Sequence, residues 1–232
     1  MNKVAIVTGA SSGIGKAISH AMISRNYCVI ANGRTIKKAD FQNNNVVISN
    51  ADLLDERTPK DLLDLAIKSF GDLNYLFVNA GTIESGSIHD IDINKMCKML
   101  RLKVESSFRL IYTALKYLLE KDSGHIIITS SVLGTKTREH SGAYAACNFA
   151  LEALAESLRM ELSHSNIKIT CIEPGLVKTG LHRDWPIHPQ ELLGISNTLN
   201  PQDIVEVVKD ILDKPDHIRI PKYMILPKGH KI

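Results

Sequence analysis

Several signatures that would assign a chain of 232 residues to a special class are missing. The four cysteines, Cys28, Cys97, Cys147 and Cys171, are scattered, and no C-x-x-C pair occurs. That spacing implies neither a zinc site nor a disulfide framework, so no metal is expected, and the usage fits a reducing cytoplasm. No apolar run reaches the ~20 residues that span a bilayer. Met1-Asn2-Lys3 leads straight into an apolar run, so no signal peptide is expected. Basic residues form no cluster, and a net charge of +3 is too small to argue for nucleic acid or a membrane surface. No internal repeat or low-complexity linker divides the chain. With 44% hydrophobic and 23% charged residues, it fits one globular domain over residues 1–232 with a full core.

What is present starts at Val4-Ala-Ile-Val7, a short apolar run that reads as a buried strand. A glycine-rich turn follows: Thr8, Gly9, Ala10, Ser11, Ser12, Gly13, Ile14, Gly15. Beyond it, Ile14, Ala17, Ile18, Ala21 and Met22 recur at helical spacing. In this order of strand, loop and helix, Gly9 permits the tight turn. Gly13 leaves room for a phosphate near the backbone, and Gly15 lets the helix pack close to the strand. Uncapped N–H groups and the helix dipole then make an anion site. An ordinary βα turn could also be glycine-rich, but this position favours a nucleotide.

Strand-like runs recur at Tyr27–Ala31, Val46–Ser49, Tyr75–Val78, His125–Ser130 and Ile167–Ile172. Helical patterns occupy Pro59–Phe70, Ile93–Leu119, Gly142–His164 and Pro201–Leu212. This alternation predicts a parallel sheet covered by helices on both faces, a doubly wound α/β domain of Rossmann type. The crossover between Gly33 and Asn45 has room for little more than a turn or two of helix. His217–Leu226 reads as a short edge strand, with Pro221 tolerable only near an edge. The irregular stretch 181–199, with His182, Trp185, Pro186, His188 and Pro189, reads as a lid, its histidines as loop surface.

The spacing T-G-x-x-x-G-I-G over Thr8–Gly15 resembles the glycine motif of the short-chain dehydrogenase/reductase family. Further motifs fall in register with that family from Val4 to about Leu226. Asn79-Ala80-Gly81 is similar to its N-A-G motif, and Pro174-Gly175-Leu-Val177-Lys-Thr179 to its P-G-x-V-x-T motif. The resemblance implies a sheet of seven parallel strands in the order 3-2-1-4-5-6-7. It also implies a nicotinamide dinucleotide lined by Gly9, Ser11, Ser12, Gly13, Ile14 and Gly15, by Asp52 and Leu53 near the adenine, and by Asn79, Ala80 and Gly81. The Val177 backbone and Thr179 hydroxyl would bond the nicotinamide carboxamide, with Pro174 and Gly175 shaping their turn.

At the tip of the second strand stands Gly33-Arg34-Thr35, with no Asp or Glu to bind a ribose 2′-hydroxyl. Arg34 suits the 2′-phosphate of NADP, which is expected ahead of NAD.

Ser131 and Tyr144, thirteen residues apart, match the family's serine and tyrosine; Ser131 would orient the substrate oxygen and Tyr144 would donate or accept the proton. An unperturbed phenol, with a pKa near 10, holds its proton too tightly to act as a base near neutrality. The family supplies a lysine four residues after the tyrosine; here that residue is Asn148. The family's helix asparagine aligns with Lys103. A lysine on a mostly apolar stripe can simply snorkel to solvent. The alternative is that lysine and asparagine have exchanged places, with Lys103 as the electrostatic partner of Tyr144 and Asn148 touching the ribose or a relay water.

The expected activity is NADP-dependent hydride transfer with a small carbonyl or alcohol substrate. The competing expectation is a dinucleotide-binding sensor without turnover. Apolar residues on more than one face of the helices Ile93–Leu119 and Gly142–His164, among them Phe108, Leu115 and Leu118, predict a homodimer or homotetramer.

Overall fold

The computed structural model describes residues 2–232. Seven parallel strands form one sheet in the order β3-β2-β1-β4-β5-β6-β7. They are β1 Val4–Thr8, β2 Cys28–Asn32, β3 Val46–Ser49, β4 Tyr75–Val78, β5 Gly124–Thr129, β6 Ile167–Pro174 and β7 Lys222–Ile225. The helices are α1 Gly13–Ser24, α2 Thr58–Phe70, α3 Ile93–Leu100, α4 Ser106–Glu120, α5 Gly142–Glu161, α6 Pro189–Leu192 and α7 Pro201–Leu212.

Successive strand residues point to opposite faces, so each strand feeds two cores. Val4, Ile6, Ile30, Leu76, Ile126 and Ile128 pack with α2, α4 and α5. Ala5, Val7, Val29, Phe77, Ile127 and Ile172 pack with α1 and α7. Burial on both faces is why these strands carry continuous Val and Ile runs.

Several boundaries differ from the sequence reading. The second strand runs one residue later, because Asn32 still pairs with Thr8 and Ser49. The predicted helix Ile93–Leu119 contains a π turn at Arg101–Glu105, where one extra residue enters the helical ladder. The helix after Tyr144 ends at Glu161, short of His164. The last strand pairs only from Lys222, after Pro221, whose carbonyl accepts from Cys171 N–H. The abbreviated crossover holds a single 3-10 turn, Lys38–Asp40.

The residues taken to face a partner need correction. Leu115 and Leu118 are buried in this chain's own core, and Phe108 is half-buried against it. The sheet claims them, because α4 presents that side to β4 and α2. The large apolar side chains that remain exposed on these helices are Tyr112 and Leu119 of α4, and Phe149 and Met160 of α5.

Candidate active site

The strand ends of β1, β4, β5 and β6 open onto one cleft of about 790 Å³. Thr8 fixes its floor. Its hydroxyl donates to Phe77 C=O at 3.1 Å and accepts from the N–H groups of Asn79 at 3.0 Å and Ala80 at 3.1 Å. Asn79 Nδ2 returns a bond to Thr8 C=O at 3.1 Å. The ends of the first and fourth strands are thus tied together beneath the glycine loop. Gly15 serves this packing: a Cβ there would stand 2.4 Å from Gly9 O and 2.6 Å from Asn79 Nδ2. Gly9 adopts φ +69°, where a side chain is strained.

At the start of α1, Ser12 makes no side-chain cap, and the first backbone bond is Lys16 N–H to Ser12 C=O at 3.2 Å. The N–H groups of Gly13 and Ile14 are left uncapped on the cleft wall. Arg34 lies exposed on the same wall and forms no ion pair among the described residues. Asp52 and Leu53 line it as well; the Asp52 carboxylate accepts from Leu54 N–H at 3.0 Å.

At the other end, Ser131, Tyr144 and Lys103 line the same cleft. Ser131 Oγ accepts from Leu133 N–H at 3.1 Å, leaving its O–H to donate into the cleft. The Tyr144 ring is buried at the cleft wall. Lys103, only 6% exposed, brings Nζ to 5.3 Å from the Tyr144 ring centroid. The same Nζ lies 3.4 Å from where a Cβ on Gly81 would stand, so the absence of a side chain there leaves its path open. Among the described residues no carboxylate pairs with this lysine, and the snorkelling reading does not describe it. Its position comes from the π turn, which carries Lys103 at its centre and packs against α5. Burial raises the neighbouring Cys147 thiol, and the Lys103 charge opposes that shift.

Asn148 is fully buried and does not line the cleft. Its Nδ2 donates to Tyr144 C=O at 2.7 Å, one turn back on α5, while Oδ1 has no partner. The short amide folds onto its own helix, set back from the cleft where a ribose was expected, with Oδ1 left as an acceptor for the alternative expected, a relay water. Apart from Gly15 and Asn148, every candidate catalytic or cofactor residue read from the sequence borders the cleft.

Other lining residues gave no signal in the sequence. Ser85 Oγ and Gly86 N–H both donate to His140 C=O, at 2.6 and 3.0 Å. His140 takes φ +63° to present that carbonyl. His182, expected on the loop surface, is half-buried, lies edge-on to Trp185 at 5.0 Å and borders the cleft. Burial, then His188, lowers its pKa to about 4. Arg138 and His230 also line the cleft.

The loop after β6 is held on both sides. Lys178 N–H donates to Leu199 C=O at 2.7 Å, Leu199 N–H to Leu176 C=O at 3.0 Å, and Gly175 N–H to Ile225 C=O at 2.8 Å. None of these bonds uses the N–H or C=O of Val177, which faces away from Leu199 in their parallel bridge. One donor and one acceptor therefore stand side by side on the cleft wall, the pair that a primary carboxamide requires.

The family model described as short chain dehydrogenase matches residues 3–189. An uncharacterized oxidoreductase of Staphylococcus epidermidis is 30% identical over 229 residues, covering 97% of each chain. A Staphylococcus aureus relative with the same description is 28% identical over 231 residues. Among solved structures, the alcohol dehydrogenase of the archaeon Thermococcus sibiricus complexed with 5-hydroxy-NADP superposes with a TM-score of 0.87 at 22% identity, covering 100% of this chain and 99% of that one. A serine dehydrogenase complexed with NADP+ gives 0.89 at 23% identity, covering 99% and 96%. The chain belongs to the short-chain dehydrogenase/reductase family of oxidoreductases.

Proposed function

We propose that this protein is an NADP-dependent oxidoreductase acting on a small carbonyl or alcohol, with Lys103 in the electrostatic role that the family gives to the lysine replaced by Asn148. The observation that carries the reading is the buried Lys103 ammonium 5.3 Å from the Tyr144 ring. A cation held beside a phenol interacts more favourably with the phenolate than with the neutral form.

The chain's groups fit the cofactor. The uncapped N–H groups of Gly13 and Ile14 suit a pyrophosphate, the Val177 pair suits a carboxamide, and Arg34 suits a 2′-phosphate. NADP(H), when bound, would supply or accept the hydride. Ser131 would donate to the substrate oxygen, Tyr144 would hold or release its proton, and Lys103 would stabilise the phenolate. The lid residues Leu181, Trp185 and Leu192 would exclude water. The alcohol dehydrogenase and serine dehydrogenase likenesses support NADP and substrates bearing a hydroxyl or carbonyl. A homodimer or homotetramer through α4 and α5 belongs to the same reading. The test is NADPH oxidation against a panel of aldehydes, ketones and keto acids. Turnover with at least one, abolished by Tyr144→Phe, is expected. NADPH binding with no consumption by any member would favour the non-catalytic sensor.

A further inference from the structure

We propose that His230, in the segment after β7, is a positioning residue that holds the Gly175–Lys178 loop and thereby sets the grip on the nicotinamide end of the cofactor. The proposal rests on the dinucleotide reading above. Leu176 N–H donates to His230 Nδ1 at 3.4 Å. A Cβ on Gly175 would lie 2.6 Å from the same Nδ1 and 2.8 Å from Pro227 Cδ, so the imidazole and Pro227 lie directly on this glycine. The chain reaches this position through a turn in which Gly229 adopts φ +84° and His230 N–H donates to Pro227 C=O at 3.1 Å.

Leu199 braces one side of the loop with backbone groups alone. On the other side, Ile225 C=O takes Gly175 N–H and the His230 ring takes Leu176 N–H. His230 is thus the one side chain recorded as hydrogen-bonding the backbone of Gly175, Leu176 or Val177 among the described residues. Removing it frees the residue next to Val177, whose unpaired N–H and C=O face the cofactor's carboxamide in the proposed function.

The ring also reaches across the cleft rim. Arg138 Nη2 lies 3.3 Å from His230 Nε2 and 3.4 Å from Lys231 O, to which it donates. Arg138 belongs to the β5–α5 connection that leads to Tyr144. A neutral imidazole has one acceptor nitrogen and one N–H; with Nδ1 accepting from Leu176, Nε2 carries the proton and Arg138 Nη2 donates to Lys231 O instead. A cationic ring accepts from neither. Burial first, and Arg138 second, lower the His230 pKa and keep the ring in the form that accepts.

The experiment compares wild type, His230→Ala and His230→Asn for binding of NADPH and of 2′,5′-ADP, which carries the adenosine and 2′-phosphate but no nicotinamide. The Asn Oδ1 can occupy the place of Nδ1 and accept from Leu176. Loss of this one bond predicts NADPH binding weaker by about fivefold in His230→Ala, with 2′,5′-ADP changed less than twofold and His230→Asn recovering most of the loss. Unchanged NADPH binding in His230→Ala overturns the proposal. So does equal weakening of both ligands, which marks general loosening of the fold, or His230→Asn no better than His230→Ala. A wild type that binds neither ligand overturns the dinucleotide reading and this proposal together, whereas a silent His230→Ala beside a tight wild type removes this proposal alone.

Discussion

A single charged residue changes partners between the expected pattern and this chain. The sequence reading places Lys103 where the family resemblance implies asparagine, and Asn148 where it implies lysine. Which of the two meets the tyrosine is decided by reach. The Asn148 amide ends within its own helical turn, on Tyr144 C=O, whereas the Lys103 side chain crosses from a neighbouring element. The sequence offered both a snorkelling lysine and one beside Tyr144; it could not choose between them, because the π turn that aims Lys103 has no composition signal. Arg34 was legible for the opposite reason, since the end of the second strand is a fixed landmark in a parallel sheet. An Arg fork on a phosphate contributes about 1.5–3 kcal/mol. Arg34→Ala is therefore expected to weaken NADPH by roughly tenfold or more and NADH far less, read by cofactor fluorescence titration. An equal effect on both would remove Arg34 from the 2′-phosphate.

Among the elements, β6 concentrates the buried polar chemistry, and none of it was apparent from hydrophobic periodicity. Glu173 of β6 and Glu152 of α5 are both buried, and Lys222 of β7 approaches them at 3.6 and 3.0 Å. Burial first, and Glu152 second, push the Glu173 carboxyl above the usual range. Lys222→Met leaves two buried acids without their cation. The expected loss is on the order of 2 kcal/mol in urea denaturation, below the ~3–5 of a fully buried pair because the Lys222 side chain is 38% exposed. Adding Glu152→Gln is expected to restore part of it. A change within ~0.5 kcal/mol would mean that the carboxyls need no counter-ion.

One strand away, His125 of β5 is buried, with Nε2 at 2.9 Å from Thr170 Oγ1, whose own O–H donates to Ile220 C=O. The imidazole Nε2 therefore donates. Burial, then Lys168 and Arg219, lower its pKa to about 3. A depressed folded value means that its stability contribution is full above the unfolded pKa near 6.5 and is lost as pH falls toward 3. Wild type is expected to lose about 1.4 kcal/mol per pH unit through this group between pH 6 and 4.5, and His125→Asn to flatten that slope. Parallel slopes in chemical denaturation would show that the ring is not held neutral.

At the scale of the molecule, strand order and sheet type were readable because each strand is a short apolar run between helical patterns. The seven-stranded order follows from family resemblance and is what the structure has. The assembly surface was harder, since periodicity identifies apolar faces without saying which one the sheet takes. Leu115 and Leu118 went to the core, leaving Tyr112, Leu119, Phe149 and Met160 exposed. If these form a two-fold contact, light scattering at micromolar concentration gives a multiple of 25.7 kDa, and Phe149→Glu shifts it toward the monomer. A monomeric wild type would contradict this.

The cleft was legible from the glycine loop, the N-A-G turn and the P-G-L-V turn, which sit at strand ends where open α/β sheets bind ligands. What escaped was delivered by loops beyond the motifs, such as Ser85, Arg138, His140 and, far away in sequence, His230, because no local pattern marks where a loop folds back.

The account stands on the pairing of Lys103 with Tyr144. The direct measurement is NADP-linked turnover at pH 7 in wild type, Lys103→Met and Asn148→Lys, in the direction of alcohol oxidation. Lys103→Met should lower the rate by tenfold or more. Asn148→Lys alone should give no gain, since position 148 is buried behind the cleft wall. A silent Lys103→Met, or an Asn148→Lys variant with activity that wild type lacks, would contradict the pairing.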